Sequence, residues 1–237
     1  MTLQRSLLAL CVATALIAPA NAADAVTDAL QAAYAPYRTA LFRTNSKAQP
    51  ESQQAIAQTQ QAWKALTDRF AAAPLPPYDR DPDFAPMLAR VGAVYDKAAA
   101  EIGAGKLSEA HETLEAARDL QSALRRRNGV VVFSDHMNAY HAEMEHLLLD
   151  GPKVLEGPRG LQLLMAQAGA LDYLARQMRI QAPPALAVNA EFEALLKGVE
   201  SSVQDVQRAI LEQDADAVKA ALGKVKTPYS KLFLKFG

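Results

Sequence analysis

The segment from Ser134 to His146 concentrates side chains that can do chemistry. It reads Ser-Asp-His-Met-Asn-Ala-Tyr-His-Ala-Glu-Met-Glu-His and holds three of the chain's four histidines and two of its six methionines. Imidazole nitrogens and carboxylate oxygens bind Zn, Cu, Fe and Mn. The segment is therefore either part of a metal site or the solvated flank of a helix.

Two His–Glu pairs, each with its members four residues apart, predict a metal site. One pair precedes a turn at residues 128–129 and the other follows it. Residues four apart share one face of a helix and can chelate one ion. If the two helices run antiparallel, a rise of about 1.5 Å per residue brings the pairs within two turns of each other. The predicted ligands are His111, Glu115, His141 and Glu145.

Two further residues are candidates for orienting these ligands. Arg118 falls level with about His141 in the antiparallel register, and Asp135 lies two turns earlier on the second helix. Groups that hydrogen-bond to a ligand fix its orientation. We therefore assign Arg118 and Asp135 a supporting position around the predicted metal.

The same helix offers a second, softer ligand set. Met137, His141 and Met144 lie at positions i, i+4 and i+7, on one face. Thioether with imidazole suits Cu(I), although methionine on an apolar helical face usually fills a core. Haem is disfavoured, because one helix can hardly supply both of its axial ligands.

The N-terminus predicts export. Arg5 precedes an apolar run from Leu7 to Ala18, and residues 20–22 fit a small-x-small cleavage site. Such a run is a secretory signal peptide and is too short for a membrane anchor. The only cysteine, Cys11, lies inside it. We expect a periplasmic protein after cleavage, with no disulfide, thiolate metal site or c-type haem.

The composition indicates a helical protein without nucleic-acid partners. The net charge is −1, whereas nucleic-acid binding requires a basic surface. Alanine, leucine and glutamine dominate while isoleucine and threonine are scarce, which favours helix over strand. No catalytic triad or phosphate-binding loop is present in a usable context. The sequence therefore does not predict an enzyme.

An internal duplication accounts for most of the chain. Comparison of the chain with itself at an offset of about 108 residues aligns many identical residues, and 33–42 lies over 139–148 at an offset of 106. Repeats must be found before a fold is assigned. The identical pairs include Leu66 with Leu174, Pro76 with Pro184, Phe84 with Phe192, Leu88 with Leu196 and Val91 with Val199.

The predicted fold is all-α, with two tandem up-down four-helix-bundle modules at 24–129 and 130–237. Helical apolar spacing separated by Pro- and Gly-rich turns predicts four helices in each module. Four short-looped helices can bury their apolar stripes together. A single fused eight-helix domain is the alternative. The predicted helices span 25–44, 51–72, 83–103, 107–127, 133–149, 158–180, 188–212 and 214–235.

The duplication also serves as an internal control on the predicted ligands. His141 and Glu145 lie opposite Ala35 and Thr39, while His111 and Glu115 lie opposite Lys219 and Gly223. A bundle that forms without these groups in one half does not need them for packing in the other.

Four stretches carry a resemblance to known proteins. They are Tyr37 with Ala40-Leu-Phe-x-Thr-Asn45, the Trp63 helix followed by Pro-Pro, Leu114-Glu-x-x-Arg118 with Arg125-Arg-Arg-Asn-Gly129, and Pro228-Tyr-Ser-x-Leu-Phe-x-x-Phe-Gly237. The chain resembles a group of uncharacterised exported proteobacterial helical proteins, a resemblance that implies no activity. In architecture alone each module is similar to the cytochrome b562 and c′ bundles, but the chain lacks the Cys-x-x-Cys-His motif of the c′ family.

The leading hypothesis is a periplasmic metal-binding protein for storage, delivery or sensing. Its ion, one of Zn, Cu, Fe and Mn, would lie at the module junction. The alternative is a metal-free structural or interaction module that presents a helical surface to an envelope protein.

Overall fold

The computed structural model describes residues 24–237, which are all-α and contain no strand. The predicted signal peptide and Cys11 lie outside the described residues. A single 3-10 turn occupies Tyr78–Arg80. The helices are α1 (Ala25–Asn45), α2 (Gln49–Phe70), α3 (Phe84–Gly103), α4 (Leu107–Arg127), α5 (Phe133–Glu156), α6 (Gly160–Ile180), α7 (Pro184–Ala187), α8 (Ala190–Leu211), α9 (Ala215–Leu222) and α10 (Lys226–Phe236).

Side-chain caps define three of the helix starts. The carboxylate of Asp24 accepts hydrogen bonds from the backbone N–H groups of Val26 and Thr27 at the start of α1. Asn189 and Asp214 cap α8 and α9 in the same way. Each cap satisfies N–H groups that have no partner within the helix, which stabilises it by about 1 kcal/mol.

The helices pack mainly against their neighbours in the chain. Along 24–129, α1 packs on α2, α2 on α3 and α3 on α4, and α4 returns to α1. Along 130–237, α5 packs on α6, α6 on α8, and α8 on α9 and α10, while α10 also contacts α5. Contacts between α1 and α10 join the two halves.

One connected hydrophobic core runs through both halves. On α4 it follows the predicted spacing, with Leu107, Ala110, Leu114, Ala117 and Leu124 all buried. Burying a leucine side chain of this kind contributes roughly 2 kcal/mol. The stripe on α4 leaves His111, Glu115 and Arg118 on its flank.

The helices differ from the prediction at three places in the second half, one of which is the short α7 between α6 and α8, a helix that was not predicted. The predicted break at Gly151–Pro152 does not occur, and α5 continues to Glu156. Gly151 is buried there, and a Cβ would meet Leu222 at 3.2 Å and Leu164 at 3.5 Å. Close packing therefore retains the final turns despite the proline. The predicted helix 214–235 is two helices, α9 and α10, separated at residues 223–225.

A buried ion pair ties α4 to α5. Arg125 is fully buried, and its Nε donates to Asp135 Oδ2 at 3.0 Å. Asp135 also accepts from Ser122 Oγ at 2.7 Å and from the Val132 backbone N–H at 3.1 Å. The carboxylate thus fixes the start of α5 against the end of α4.

Candidate functional site

A small pocket lies where α1, α4, α5 and α10 meet. Its cavity volume is about 40 Å³, which exceeds the roughly 10–15 Å³ needed to hold one water molecule. The walls combine apolar, imidazole, carboxylate and cationic groups. They include Leu41, Phe42, His111, Glu115, Arg118, His141, Lys226, Tyr229 and Phe233.

The structure brings the four predicted ligands to this pocket and its edge. Oε1 of Glu115 lies 3.7 Å from Nε2 of His111 and 4.0 Å from Nε2 of His141. The same nitrogen of His141 lies 3.6 Å from Oε1 of Glu145. Glu115 therefore stands between imidazole rings carried by two different helices.

Hydrogen bonding fixes the tautomer of His111. Its Nδ1 lies 3.1 Å from the backbone oxygen of Leu41. A carbonyl oxygen can only accept, so Nδ1 carries the proton and donates it. In the neutral ring, Nε2 is then a free acceptor on the side of Glu115. This is the tautomer in which a histidine binds a metal through Nε2.

His141 has the opposite tautomer. Nη1 of Arg118 donates to its Nδ1 at 2.9 Å. Because a guanidinium group has no acceptor, the lone pair must be on Nδ1 and the proton on Nε2. The protonated nitrogen faces the two glutamates, at distances longer than a direct hydrogen bond.

Both pocket histidines are neutral at pH 7. Burial lowers the pKa of His111, and the nearby Glu115 carboxylate offsets part of that effect. Burial, followed by the charge of Arg118, lowers the pKa of His141 to about 4. Neutral imidazole is the form that a metal requires. Neither ring is an imidazolium cation at neutral pH, so neither has to release a proton to solvent before it can bind an ion.

Two cations balance the two carboxylates of the pocket. Arg118 contacts Glu115 through both terminal nitrogens, at 3.4 and 3.5 Å. Nζ of Lys226 lies 2.9 Å from Oε1 of Glu145. In this arrangement no three His, Cys, Asp or Glu side chains within 24–237 are grouped so as to hold a metal ion. An ion can enter only if at least one of these pairs opens.

The two residues assigned to a supporting position behave differently. Arg118 reaches the ligand set, but it donates to His141, whereas a ligating histidine needs an acceptor at its second nitrogen. Asp135 takes no part in the pocket, because Arg125, Ser122 and the Val132 backbone occupy it.

The candidate copper ligands are divided between two environments. Met137 and Met144 are fully buried in the hydrophobic core, whereas the His141 ring lines the pocket. The backbone oxygen of Met137 accepts from the hydroxyl of Tyr229. Full burial among apolar side chains is the usual environment of a methionine that fills a core.

Sequence reasoning missed the contribution of α10. Lys226 pairs with Glu145, and the ring of Tyr229 lies 5.5 Å from that of His141. The predicted duplication offered a signal for the lysine, since an offset of 108 residues aligns Lys226 with Arg118. The two cations of the pocket are thus at corresponding positions of the proposed repeat.

Comparison with known proteins identifies no relative, since no protein-family model, no curated protein and no solved structure matches the chain. Within residues 24–237, none of the helices combines the length and apolar character of a bilayer-crossing segment.

Proposed function

We propose that the protein reversibly binds a transition-metal ion at this pocket. His111, Glu115 and His141 would be the first ligands, and Glu145 would complete the set. The observation that carries the proposal is the position of one Glu115 oxygen within 4.0 Å of both imidazole Nε2 atoms. Donors around a tetrahedral ion with bonds of about 2.1 Å are about 3.4 Å apart, and these two separations, 3.7 and 4.0 Å, exceed that value by at most about 0.6 Å.

The two histidines would take different parts in binding. His111 already has its acceptor nitrogen on the side of Glu115 and its other nitrogen held by Leu41. His141 must first give up the hydrogen bond from Arg118 and move its proton from Nε2 to Nδ1. Arg118 therefore competes with the metal, which makes binding reversible and suits delivery or sensing better than permanent storage.

The donor set is compatible with several ions. Two imidazoles and two carboxylates without a thiolate suit Zn, Cu, Fe or Mn. A further cation nearby weakens binding of any of them, because like charges repel most strongly where burial lowers the local dielectric constant.

Metal titration of the full chain tests the proposal. An ion that binds only the folded state raises its stability, by about 2.7 kcal/mol at a hundredfold excess over Kd. We expect Zn²⁺ or Cu²⁺ to raise the melting temperature of metal-free protein. His111→Ala and Glu115→Gln should each weaken binding at least tenfold, while His146→Ala, an exposed histidine of α5, should leave it unchanged. No stabilisation by Zn²⁺, Cu²⁺, Fe²⁺ or Mn²⁺ would refute the proposal.

We also propose that the fold consists of two four-helix bundles derived from a duplication, in a protein exported to the periplasm. The order of helix contacts supports the bundles, because the fourth helix of the first half returns to its first and α10 returns to α5. The aligned cations Arg118 and Lys226 support the duplication. Cleavage after Ala22, measured by N-terminal sequencing of protein from the periplasm, tests the export.

A metal-free interaction module is the second candidate function. The observation that favours it is the engagement of His141 by Arg118 and of Glu145 by Lys226. In this alternative the two contacts only hold α4, α5 and α10 together. The functional partner is then an envelope protein that binds the helical surface. Replacement of Arg118 distinguishes the two functions, because it should strengthen metal binding only if the pocket holds an ion.

A further inference from the structure

The wall of the junction pocket has more cationic than anionic groups. Arg118 and Lys226 both line the cavity, whereas Glu115 is the one carboxylate residue of the described part of the chain that lines it. Asn45 and Ser230 add an amide and a hydroxyl group to the same wall. Guanidinium, ammonium, amide and hydroxyl groups all donate hydrogen bonds. The pocket therefore offers donors for an anion beside its ligands for a cation.

Metal binding removes the acceptors of Arg118 inside the pocket. Its Nη1 donates to Nδ1 of His141 at 2.9 Å and lies 3.5 Å from Oε1 of Glu115. His141 must release this bond to bind an ion, and Oε1 is the Glu115 oxygen that lies near both imidazole rings. Nη1 then loses both of its partners. Because the side chain of Arg118 is only 11% exposed, a lost acceptor is costly unless another group replaces it.

The remaining partner of Arg118 lies outside the pocket. Oδ1 of Asp119 is 3.5 Å from Nε of Arg118, but this carboxylate is largely exposed and does not line the cavity. It holds the outer edge of the guanidinium group and leaves the inner edge, which carries Nη1, directed toward His141. A replacement acceptor for the inner edge must therefore come from within the cavity.

The second cation loses its carboxylate in the same way. Nζ of Lys226 lies 2.9 Å from Oε1 of Glu145, and this oxygen is the one 3.6 Å from Nε2 of His141. If Glu145 completes the ligand set, the ion takes the oxygen that now faces the lysine. The side chain of Lys226 is 40% exposed, so water can solvate it in part. Arg118 is thus the cation that most needs a new partner.

The charges of the pocket balance only while no metal is bound. Two carboxylates, Glu115 and Glu145, face two cations, Arg118 and Lys226. A divalent ion therefore leaves an excess of positive charge, and like charges repel most strongly where burial lowers the local dielectric constant. An anion that enters together with the ion removes this excess and supplies the missing acceptor.

We propose that the pocket binds its metal ion together with a small planar oxyanion, a carboxylate or carbonate, that bridges the ion and the guanidinium group of Arg118. This oxyanion site rests on the proposed metal binding and extends it to a second ligand. A planar oxyanion matches the planar fork of a guanidinium group, which can donate two parallel hydrogen bonds to it.

The size of the cavity favours a small anion. Its volume of about 40 Å³ corresponds to about three water-sized groups at roughly 10–15 Å³ each. An ion with a small carboxylate or carbonate is of this size, whereas a large organic chelate is not. The ligand class is therefore a metal ion with a simple oxyanion.

Zinc titration of the full chain in three media tests the oxyanion site. Calorimetry measures the affinity for Zn²⁺ in carbonate-free buffer with chloride alone, with added acetate and with added bicarbonate, at equal ionic strength. Free Zn²⁺ is corrected for its complexes with each anion. We expect at least one oxyanion to tighten binding by roughly tenfold or more, which is common for two coupled ligands. The effective arm identifies a carboxylate or carbonate.

The outcomes separate this site from metal binding itself. Equal zinc affinity in all three media overturns the oxyanion site and leaves the proposed metal binding intact. No zinc binding in any medium overturns both. Because coupling is reciprocal, Zn²⁺ must also tighten binding of the anion. The ¹³C-labelled anion should therefore give a bound NMR signal with zinc-loaded protein and none with metal-free protein at the same concentration.

Variants of two arginines locate the anion. Arg118→Met should bind Zn²⁺ with the same affinity in all three media, because it lacks the guanidinium group that holds the oxyanion. Arg176→Met, which changes an exposed arginine of α6, is the matched control and should retain the dependence on the oxyanion. Full anion dependence in Arg118→Met, or its loss in Arg176→Met, overturns the assignment to Arg118.

Discussion

Arg118 donates a hydrogen bond from Nη1 to Nδ1 of His141 across 2.9 Å, between α4 and α5. The contact has a chemical consequence beyond joining two helices. It keeps the proton of His141 on Nε2, the nitrogen that lies nearest to Glu115 and Glu145. The guanidinium group thereby determines which nitrogen of the ring is free to bind.

Replacing Arg118 should strengthen metal binding. Arg118→Met removes a positive charge and lets Nδ1 of His141 take the proton, which frees Nε2. We expect the affinity for Zn²⁺ to rise at least tenfold, measured by competition with a chromophoric chelator. Arg176→Met, which changes an exposed arginine of α6, is the control. If Arg118→Met leaves the protein unable to bind any ion, the metal-free interaction module becomes the better explanation.

The buried His141 should make stability depend on pH. An unfolded histidine takes up a proton below about pH 6.5, whereas folded His141 stays neutral down to about 4. The unfolded chain binds more protons between these values, so stability rises with pH through that window. The contribution is complete above pH 6.5 and is lost as the pH falls toward 4, on the order of 3 kcal/mol in all.

Urea unfolding at pH 4.5, 5.5 and 7 measures this dependence. His141→Gln should flatten it, and His146→Gln should retain it. The lowered pKa of His111 acts in the same direction, so the double variant His111→Gln/His141→Gln should be the flattest. A pH dependence identical in all variants would assign the effect to other groups.

Loss of Asp135 should be costly. Asp135→Asn leaves the fully buried Arg125 without a carboxylate partner and weakens the start of α5. Breaking a buried pair in this way costs about 3–5 kcal/mol. Asp68→Asn disrupts an exposed pair with Lys64 and should cost less than about 1 kcal/mol. Chemical denaturation measures the free energy of unfolding of both variants. Equally small losses of stability would contradict the contribution assigned to the buried ion pair.

The turn between α4 and α5 should require glycine. Gly129 has φ of +69°, and an added Cβ would meet nothing within 4 Å, so only backbone strain opposes a side chain. Gly129→Ala should therefore destabilise the protein by about 1 kcal/mol. Gly103→Ala is the control, since that glycine ends α3 in open space without a positive φ and should be neutral or slightly stabilising.

The sequence predicted the all-α class and most helix positions because apolar residues at helical spacing leave little choice. It also placed Arg118 level with about His141, and the two side chains are hydrogen-bonded in the structure. The continuation of α5 past Gly151 could not be predicted, because it depends on contacts with Leu164 and Leu222 that only the fold creates.

The arrangement of charged and hydrogen-bonding groups in the pocket could not be predicted from the sequence either. Spacing alone indicated that Arg118 could reach His141, but not that it would occupy a ring nitrogen. Lys226 and Tyr229 lie more than 80 residues after His141, so no local pattern relates them to it. Only the return of α10 onto α5 brings them to the pocket.

The pocket depends on both halves of the chain. His111, Glu115 and Arg118 precede the turn at residues 128–129, while His141, Glu145 and Lys226 follow it. Neither half alone carries the complete set of groups. A substitution far from the pocket that loosens the contact between α1 and α10 would therefore change its chemistry while leaving every one of its residues intact.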